Sequence, residues 1–231
     1  MSEMQELLDL MAALRDPARG CPWDRAQTYA SIVPHTIEEA YEVADAIERG
    51  DLNELRDELG DLLFQVVFYC RIAEEQGLFD FAQVAAGLVA KMVRRHPHVF
   101  GDAQSAGVEG QTAVWESIKA GERSSTGGGP LAGIPRALPA LTRCAKLIKR
   151  GAAAGLPAPD ADQAWAGARA ALENWPASDR SAREHALGRA LFALGALARA
   201  SDIDPEQALR QENQRYEQLI LTAAEPHSSP L

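Results

Sequence analysis

Acidic side chains are concentrated in two neighbouring stretches of the N-terminal half of the sequence. HTIEEAYEVADAI (35–47) carries three glutamates, and ELRDELGDLLFQVVFY (54–69) carries Glu58 and Asp61, which are three residues apart. Each residue of an α-helix turns the chain by about 100°, so each set falls within one arc of its helix. Carboxylates this close repel one another unless a cation or water compensates them. The five residues are Glu38, Glu39, Glu42, Glu58 and Asp61.

A magnesium site is the chemistry that this pattern suits best. Mg²⁺ takes oxygen ligands, commonly carboxylates, water and substrate phosphates. Once bound, it can hold a polyphosphate and activate water. The alternative is an acidic helix face that simply meets solvent. The metal site is favoured because Glu58 and Asp61 lie directly beside the strongest apolar stripe of the chain, at the edge of the predicted core.

Other catalytic chemistries lack their residues. No HExxH motif occurs, and the histidine pair in HPH (96–98) is isolated, which argues against zinc. A di-iron bundle would need Glu-x-x-His pairs on inward faces, and a nucleotide-binding P-loop would need a Gly-rich cradle. Neither pattern is present in the sequence.

The elements that must bring the carboxylates together are helices. Apolar residues recur every three or four positions, and no alternating strand pattern is evident. The connection at Gly50 is short, which predicts antiparallel neighbouring helices with axes about 8–10 Å apart. Helices are predicted over 3–15, from 34–36 to 50, over 51–76 and over 80–95, with a turn at 20–28. The predicted buried face of 51–76 consists of Leu55, Leu59, Leu62, Leu63, Val66, Val67 and Cys70.

An internal repeat indicates two related units. ELGDLLF (58–64) matches ALGRALF (186–192), and FDFAQ (79–83) matches IDPEQ (203–207) with four residues fewer between the matches. The simplest interpretation is an all-α protein with two tandem four-helix units joined by the Gly/Ser-rich linker SSTGGGP. The predicted divisions are a first unit over 1–100, a linker with a short helix over 101–135, a second unit over 136–224, and a disordered tail over 225–231.

The second copy has lost the acidic residues. At the same offset of 128 residues, the five carboxylates correspond to Ala166, Gly167, Ala170, Ala186 and Arg189. The apolar pattern is kept while the charges are gone. A solvated face would be expected to keep generic charge, so the carboxylates of the first copy are predicted to serve a specific site.

Composition limits the classes of partner. The formal charge of −10 argues against non-specific binding to nucleic acid or an anionic membrane. The three scattered cysteines make neither a disulfide framework nor a zinc site. The N-terminal stretch lacks a signal-peptide layout, and no apolar run approaches 18 residues. A cytoplasmic protein is the expectation.

The ordered set of motifs resembles a known family. EExxE on one helix, ExxD on the next, GCPWD..QT before them and RRHPHVFG after them resemble MazG-type nucleoside triphosphate pyrophosphohydrolases, of the all-α NTP pyrophosphatase superfamily. The resemblance covers nearly the whole chain, since that family often carries two tandem MazG domains. It implies cleavage of a nucleoside triphosphate between the α and β phosphates, giving a monophosphate and pyrophosphate. It also implies dependence on Mg²⁺, with Mn²⁺ able to substitute, and a homodimer.

The same resemblance assigns roles to the two units. Carried over, the five carboxylates of the first unit are catalytic residues and metal ligands, and one glutamate also orients or deprotonates the attacking water. The second unit, a degenerate MazG-like domain, is expected to be a catalytically inactive scaffold that takes part in dimerisation.

Four further side chains are candidates for binding substrate. Lys91, Arg94 and Arg95 could hold phosphates, or could merely compensate the dipole at a helix C-terminus; the second copy has few basic residues there, which favours the phosphate role. Trp23 could stack on a base or cap the core, and the core is slightly favoured. His96 and His98 are expected to pack structurally.

Three readings of function remain open. The first is a broad-range enzyme that cleans the nucleotide pool. The second is a narrower relative, such as a dUTP or dCTP pyrophosphatase or a phosphoribosyl-ATP pyrophosphohydrolase, which the tandem layout and CPWD disfavour. The third is a non-catalytic helical regulator that binds nucleotides, which retention of all five acidic residues disfavours.

Overall fold

The computed structural model describes residues 2–103, 107–125, 127–173, 175–176 and 179–224. Every regular element in these ranges is a helix, which confirms the all-α prediction. The residues up to Trp115 form one compact unit, and those from Glu116 onward form a second. None of the described helices is both long and apolar enough to cross a bilayer. The helices are α1 (Glu3–Leu14), α2 (Pro22–Ala26), α3 (Tyr29–Arg49), α4 (Leu52–Glu75), α5 (Phe81–Arg95), α6 (Pro97–Phe100), α7 (Gly107–Ser125), α8 (Ala140–Ala153), α9 (Ala161–Glu173), α10 (Arg180–Ala200) and α11 (Pro205–Ala224).

The start of α3 differs from the prediction. Thr28 caps the helix. Its Oγ1 accepts a hydrogen bond from the backbone N–H of Ser31, and the Oγ of Ser31 accepts one from the backbone N–H of Thr28. This capping box satisfies two N–H groups that a helix start leaves unpaired. The helix therefore begins at Tyr29, and Pro34 lies within its second turn. The predicted start near Pro34 was wrong because the capping residues outweigh the loss of one proline N–H.

The turn between α3 and α4 fixes the two helices as antiparallel neighbours. Gly50 ends α3 in the left-handed region, at φ 71°, where glycine has no steric penalty. Asp51 follows at once and caps α4, because its carboxylate accepts from the N–H groups of Asn53 and Glu54 at 3.1 Å each. The connection is therefore as short as predicted, and it folds α4 back along α3.

The core of the first unit joins α1, α3 and α4. Met11 of α1, Ile32 of α3 and Val67, Phe68 and Ile72 of α4 form one buried cluster, each at most 2% exposed. This cluster lies at the C-terminal half of α4. Burial of these side chains fixes the relative positions of the helices that carry the acidic residues.

The predicted buried face of α4 was only partly right. Val67 and Cys70 are buried, but Leu59 and Val66 are 50% and 37% exposed. The other members, Leu55, Leu62 and Leu63, are half-buried. The core packs on the side of α4 that carries Phe68, so the apolar residues on the far edge of the stripe remain at the surface of the unit.

The second unit repeats the spacing of the first. α10 begins 128 residues after α4, and α11 begins 124 residues after α5, as the sequence match requires. Its core contains Cys144, Ile148, Ala164 and Ala196. A Cβ on Gly195 would lie 2.7 Å from the Sγ of Cys144, so α8 and α10 approach as closely as they do because position 195 is glycine.

The segment between the repeats is more helical than predicted. The short helix expected around Trp115 is α7, which has 19 residues and includes the first two residues of the SSTGGGP stretch. The stretch expected to be a turn at 20–28 contains the five-residue helix α2. The predicted tail at 225–231 lies outside the described residues.

Candidate metal centre

Three carboxylates from α3 and α4 converge in the first unit. Glu39 of α3 and Glu58 and Asp61 of α4 each offer an oxygen, and these three atoms all lie within 4.8 Å of one another. Glu39 and Glu58 are half-buried, while Asp61 is exposed. In the part of the chain that the structure describes, no other group of His, Cys, Asp or Glu side chains meets this criterion. Below, these three residues are called the acidic triad.

The triad sits in a negative field. The pKa of Glu39 is raised from its ordinary 4.5, first by burial and then by Asp61, Glu42 and Glu58. The pKa of Glu58 is raised by burial and then by Glu42 and Asp61. The largest contributions to both shifts come from burial and from neighbouring carboxylates. Mutual repulsion of this kind is relieved when a cation binds, so the site favours one.

Glu42 lies beside the acidic triad, and the acidic patch below means the triad together with Glu42. It lies one turn beyond Glu39 on α3, and a side-chain hydrogen bond and its charge both raise the pKa of Glu39. Its own side chain is exposed. Glu42 is therefore close enough to act on the triad directly.

Sequence reasoning missed Gln65. This residue of α4 is 7% exposed, and its Nε2 donates to Oε1 of Glu39 at 3.4 Å. It follows Glu58 by seven residues and Asp61 by four, so the three share one face of α4. That spacing was the available signal. A buried amide that donates to a carboxylate oxygen helps to orient the Glu39 side chain.

Glu38 is not part of the triad. Its Oε2 lies 3.7 Å from Nδ1 of His35, and its side chain is 63% exposed. Adjacent residues on a helix point about 100° apart, so Glu38 and Glu39 cannot both face α4. The structure thus brings together four of the five predicted carboxylates and turns the fifth towards His35.

The donor set fits a hard divalent cation. All the converging groups are carboxylates, which are the ligands that Mg²⁺ and Mn²⁺ prefer, and the triad contains no histidine or thiolate that would favour zinc. Glu39, Glu58 and Asp61 are the residues that would hold such an ion. Glu39 and Glu58 are partly shielded from water, which strengthens their attraction for the ion.

Comparison with known proteins decides the family. The MazG nucleotide pyrophosphohydrolase domain matches residues 27–100, which include the whole acidic patch. The nucleoside triphosphate pyrophosphohydrolase of Escherichia coli (strain K12) is 44% identical over 229 residues, covering 94% of this chain and 85% of that protein. The chain belongs to the MazG family.

A second curated relative and one solved structure also match this chain. The nucleoside triphosphate pyrophosphohydrolase/pyrophosphatase MazG of Thermotoga maritima is 35% identical over 213 residues, covering 92% of this chain and 82% of that protein. A crystal structure of a mazG-related protein from Thermotoga maritima covers 50% of this chain and 98% of its own, with 24% identity and a TM-score of 0.42.

The second unit contains no acidic group at the positions equivalent to the acidic triad. Gly167, Ala186 and Arg189 stand 128 residues after Glu39, Glu58 and Asp61. Ala186 is fully buried, and a Cβ on Gly167 would lie 3.8 Å from that of Ala193. Small side chains thus fill the space between α9 and α10.

Trp23 lies just before the matched MazG segment. It is 53% exposed, so the preference for a core role was wrong. Its ring stands edge-on to His35, with the ring centroids 5.9 Å apart. His35 in turn contacts Glu38. Trp23 is therefore an exposed aromatic group beside the helix that carries Glu39.

The three basic candidates lie in the last turns of α5, within the MazG segment. Lys91 and Arg95 are half-buried, and Arg94 is exposed. They stay candidates for phosphate binding. His96 ends α5, with Nδ1 2.7 Å from the backbone oxygen of Met92, and its ring centroid is 5.2 Å from that of Trp115. These contacts agree with the structural role expected for His96.

Proposed function

We propose that this MazG protein hydrolyses nucleoside triphosphates between the α and β phosphates, giving a nucleoside monophosphate and pyrophosphate. The observation that carries the proposal is the acidic triad, whose three oxygens lie within 4.8 Å of one another on two packed helices. The names of the E. coli and T. maritima relatives support the same reaction class.

Magnesium is the proposed cofactor, with manganese able to replace it, and Glu39, Glu58 and Asp61 are the proposed ligands. When bound, the ion would supply positive charge to the triphosphate and lower the pKa of the attacking water. Hydrolysis of this kind depends on positioning and charge more than on a covalent nucleophile. Glu42, an exposed carboxylate that acts on the triad electrostatically, is the proposed proton acceptor because it is not needed to complete the three-oxygen group.

The remaining substrate contacts are proposed from the chemistry of the candidate side chains. Lys91, Arg94 and Arg95 are proposed to bind the phosphates, since guanidinium and ammonium groups make strong charge-assisted hydrogen bonds to phosphate oxygens. Trp23 is proposed to contact the base, since its exposed ring lies beside α3. The proposed enzyme accepts nucleoside triphosphates that carry different bases, and its proposed role is to clean the cytoplasmic nucleotide pool.

A second copy of the chain is the proposed partner. α5 has no buried residue in the single chain, and Leu88 is 51% exposed. Ile37 of α3 and Leu59 of α4 are exposed to a similar degree. Apolar side chains in these numbers favour a protein partner. Light scattering should give twice the chain mass, and Leu88→Asp should lower it to that of a monomer; a monomeric wild type would overturn this part of the proposal.

One assay tests the reaction. The protein is incubated with Mg²⁺ and a panel of ribo- and deoxyribonucleoside triphosphates, and pyrophosphate and monophosphate are measured. Orthophosphate with a diphosphate as products would contradict the proposed cleavage position, and hydrolysis of a single substrate would favour the narrower enzyme. Asp61→Ala should abolish turnover, whereas Arg189→Ala, at the equivalent position of the second unit, should retain it.

A further inference from the structure

Arg15 ties the end of α1 to the end of α4. Its guanidinium is buried, and Nε and Nη2 donate to the carboxylate of Glu75 at 3.0 and 2.7 Å. Its Cζ also lies 5.3 Å from the ring centroid of Phe68, in the core of the first unit. A guanidinium held on two sides in this way has one fixed orientation.

The remaining nitrogen of Arg15 binds the backbone of the next segment. Nη1 donates to the carbonyl oxygen of Asp24, inside α2, and to that of Gln27, just after it, the latter at 3.3 Å. These two carbonyls lie on either side of the C-terminal end of α2. Arg15 thus anchors α2 to the core, although it makes no contact with the acidic triad.

Gln27 continues the connection to α3 and back to Trp23. Its Nε2 donates to the carbonyl oxygen of Trp23 at 2.9 Å, and its Oε1 accepts from the Oγ of Ser31 at 2.6 Å. The backbone of Trp23 is therefore held through Gln27, and Gln27 is held by Arg15. Fixing a backbone in this manner limits the directions in which its side chain can point.

Trp23 contacts a residue of α3 that lies one helical turn before Glu39 of the acidic triad. Its ring contacts His35, and His35, Glu39 and Glu42 follow one another at the spacing of a single face of α3. Four residues of α-helix rise roughly 6 Å. A molecule bound at Glu39 can therefore extend along α3 to the exposed ring.

We infer that Arg15 is a positioning residue that holds Trp23 in place for substrate binding. This inference rests on the proposed contact between Trp23 and the base. Arg15 acts through the carbonyls of Asp24 and Gln27, so its loss displaces the ring without changing the triad. The expected signature is a higher KM with little change in kcat.

The test compares steady-state hydrolysis of one triphosphate by Trp23→Ala, Arg15→Lys and Gln27→Ala with that of the wild type. Loss of a base-stacking aromatic should raise KM about 5- to 150-fold. Arg15→Lys keeps the positive charge beside Glu75 but cannot also reach both carbonyls, and Gln27→Ala releases the Trp23 backbone. Both should raise KM while kcat stays within about twofold, given that only the remote contact is lost. When Arg15→Lys or Gln27→Ala is combined with Trp23→Ala, the double variant should have the same KM as Trp23→Ala alone.

Arg71→Ala is the matched control. Arg71 also donates to Glu75, at 3.0 Å, and its loss weakens the same ion-pair group without removing a contact to α2. It should lower the thermal midpoint and leave KM unchanged. The inference is overturned if Trp23→Ala raises KM but Gln27→Ala and folded Arg15→Lys leave it unchanged. It is also overturned if the increases in KM multiply when either change is combined with Trp23→Ala. An unchanged KM in Trp23→Ala, with hydrolysis intact, removes the proposed base contact and the inference with it, whereas absence of hydrolysis in the wild type refutes the proposed function and the inference that rests on it.

Discussion

Glu39→Gln separates metal binding from folding. The substitution removes one charge from the acidic triad and keeps the shape of the side chain, and its amide oxygen can still accept the hydrogen bond from Gln65. In the absence of metal, the pKa of Glu39 is raised by burial and by its acidic neighbours, so the ionised form destabilises the folded state. The metal-free variant should therefore unfold at a higher temperature than the wild type at pH 8.

Magnesium should reverse that order. At an Mg²⁺ concentration of about 100 times its dissociation constant, binding stabilises the folded protein by about 2.7 kcal/mol. The first unit ends at Trp115, so it has 115 residues, and for a unit of this size 1 kcal/mol shifts the unfolding midpoint by about 3–5 °C. The wild type should gain about 8–14 °C. A 100-fold weaker affinity in the variant would leave about 0.4 kcal/mol, or about 1–2 °C.

The assay is thermal unfolding with and without Mg²⁺, followed across pH. The advantage of the metal-free variant should vanish as the pH falls below 4.5, the ordinary pKa of the carboxyl, because Glu39 is then protonated in both folded and unfolded states. Asp57→Asn is the control, since Asp57 neighbours Glu58 but is not part of the triad; it should keep the magnesium shift. A variant with the full shift, or one less stable than wild type without metal, would refute the reasoning.

Three more predictions test separate features of the chain. Glu38→Gln should retain the magnesium-induced thermal shift, because this side chain turns away from the triad. Gly195→Ala should destabilise the protein by about 1–3 kcal/mol in urea unfolding, because its Cβ would lie 2.7 Å from the Sγ of Cys144. Gly188→Ala is the matched control; its Cβ would meet nothing within 4 Å, and the substitution should stabilise the protein by about 0.4–1 kcal/mol. The pKa of Glu75 is lowered by its partners Arg15 and Arg71, so its contribution to stability is present above pH 4.5 and is lost as the pH falls through the lowered pKa. In thermal melts from pH 3 to 7, Glu75→Gln should therefore lose less stability than the wild type as the pH falls.

Each of these has a result that would contradict it. Loss of the magnesium shift in Glu38→Gln would return that residue to the ligand set expected from the sequence. Equal stabilities for the two alanine variants on α10 would mean that α8 and α10 do not pack as closely as described. An equal loss of stability in Glu75→Gln and the wild type as the pH falls would mean that the ion pair with Arg15 contributes nothing to folding.

The sequence could predict those features of the site that depend on helical periodicity and on short connections. Glu58 and Asp61 are three residues apart, which places both on one side of any α-helix. The Gly50–Asp51 turn ends one helix and caps the next, so α3 and α4 had to be antiparallel neighbours. Local chemistry sets both features, and neither depends on what else packs against the helices.

Only the tertiary structure decided which side of each helix is covered and which carboxylates meet. Glu38 and Glu39 are equivalent in the EExxE pattern, and the rotation of α3 against the core selects Glu39. Burial of Gln65 beside Glu39, and exposure of Leu59 and Trp23, follow from the same packing. Hydrophobic pattern shows that a face is apolar, but the partner that covers it lies far away in the chain, and its position is fixed only when the core closes.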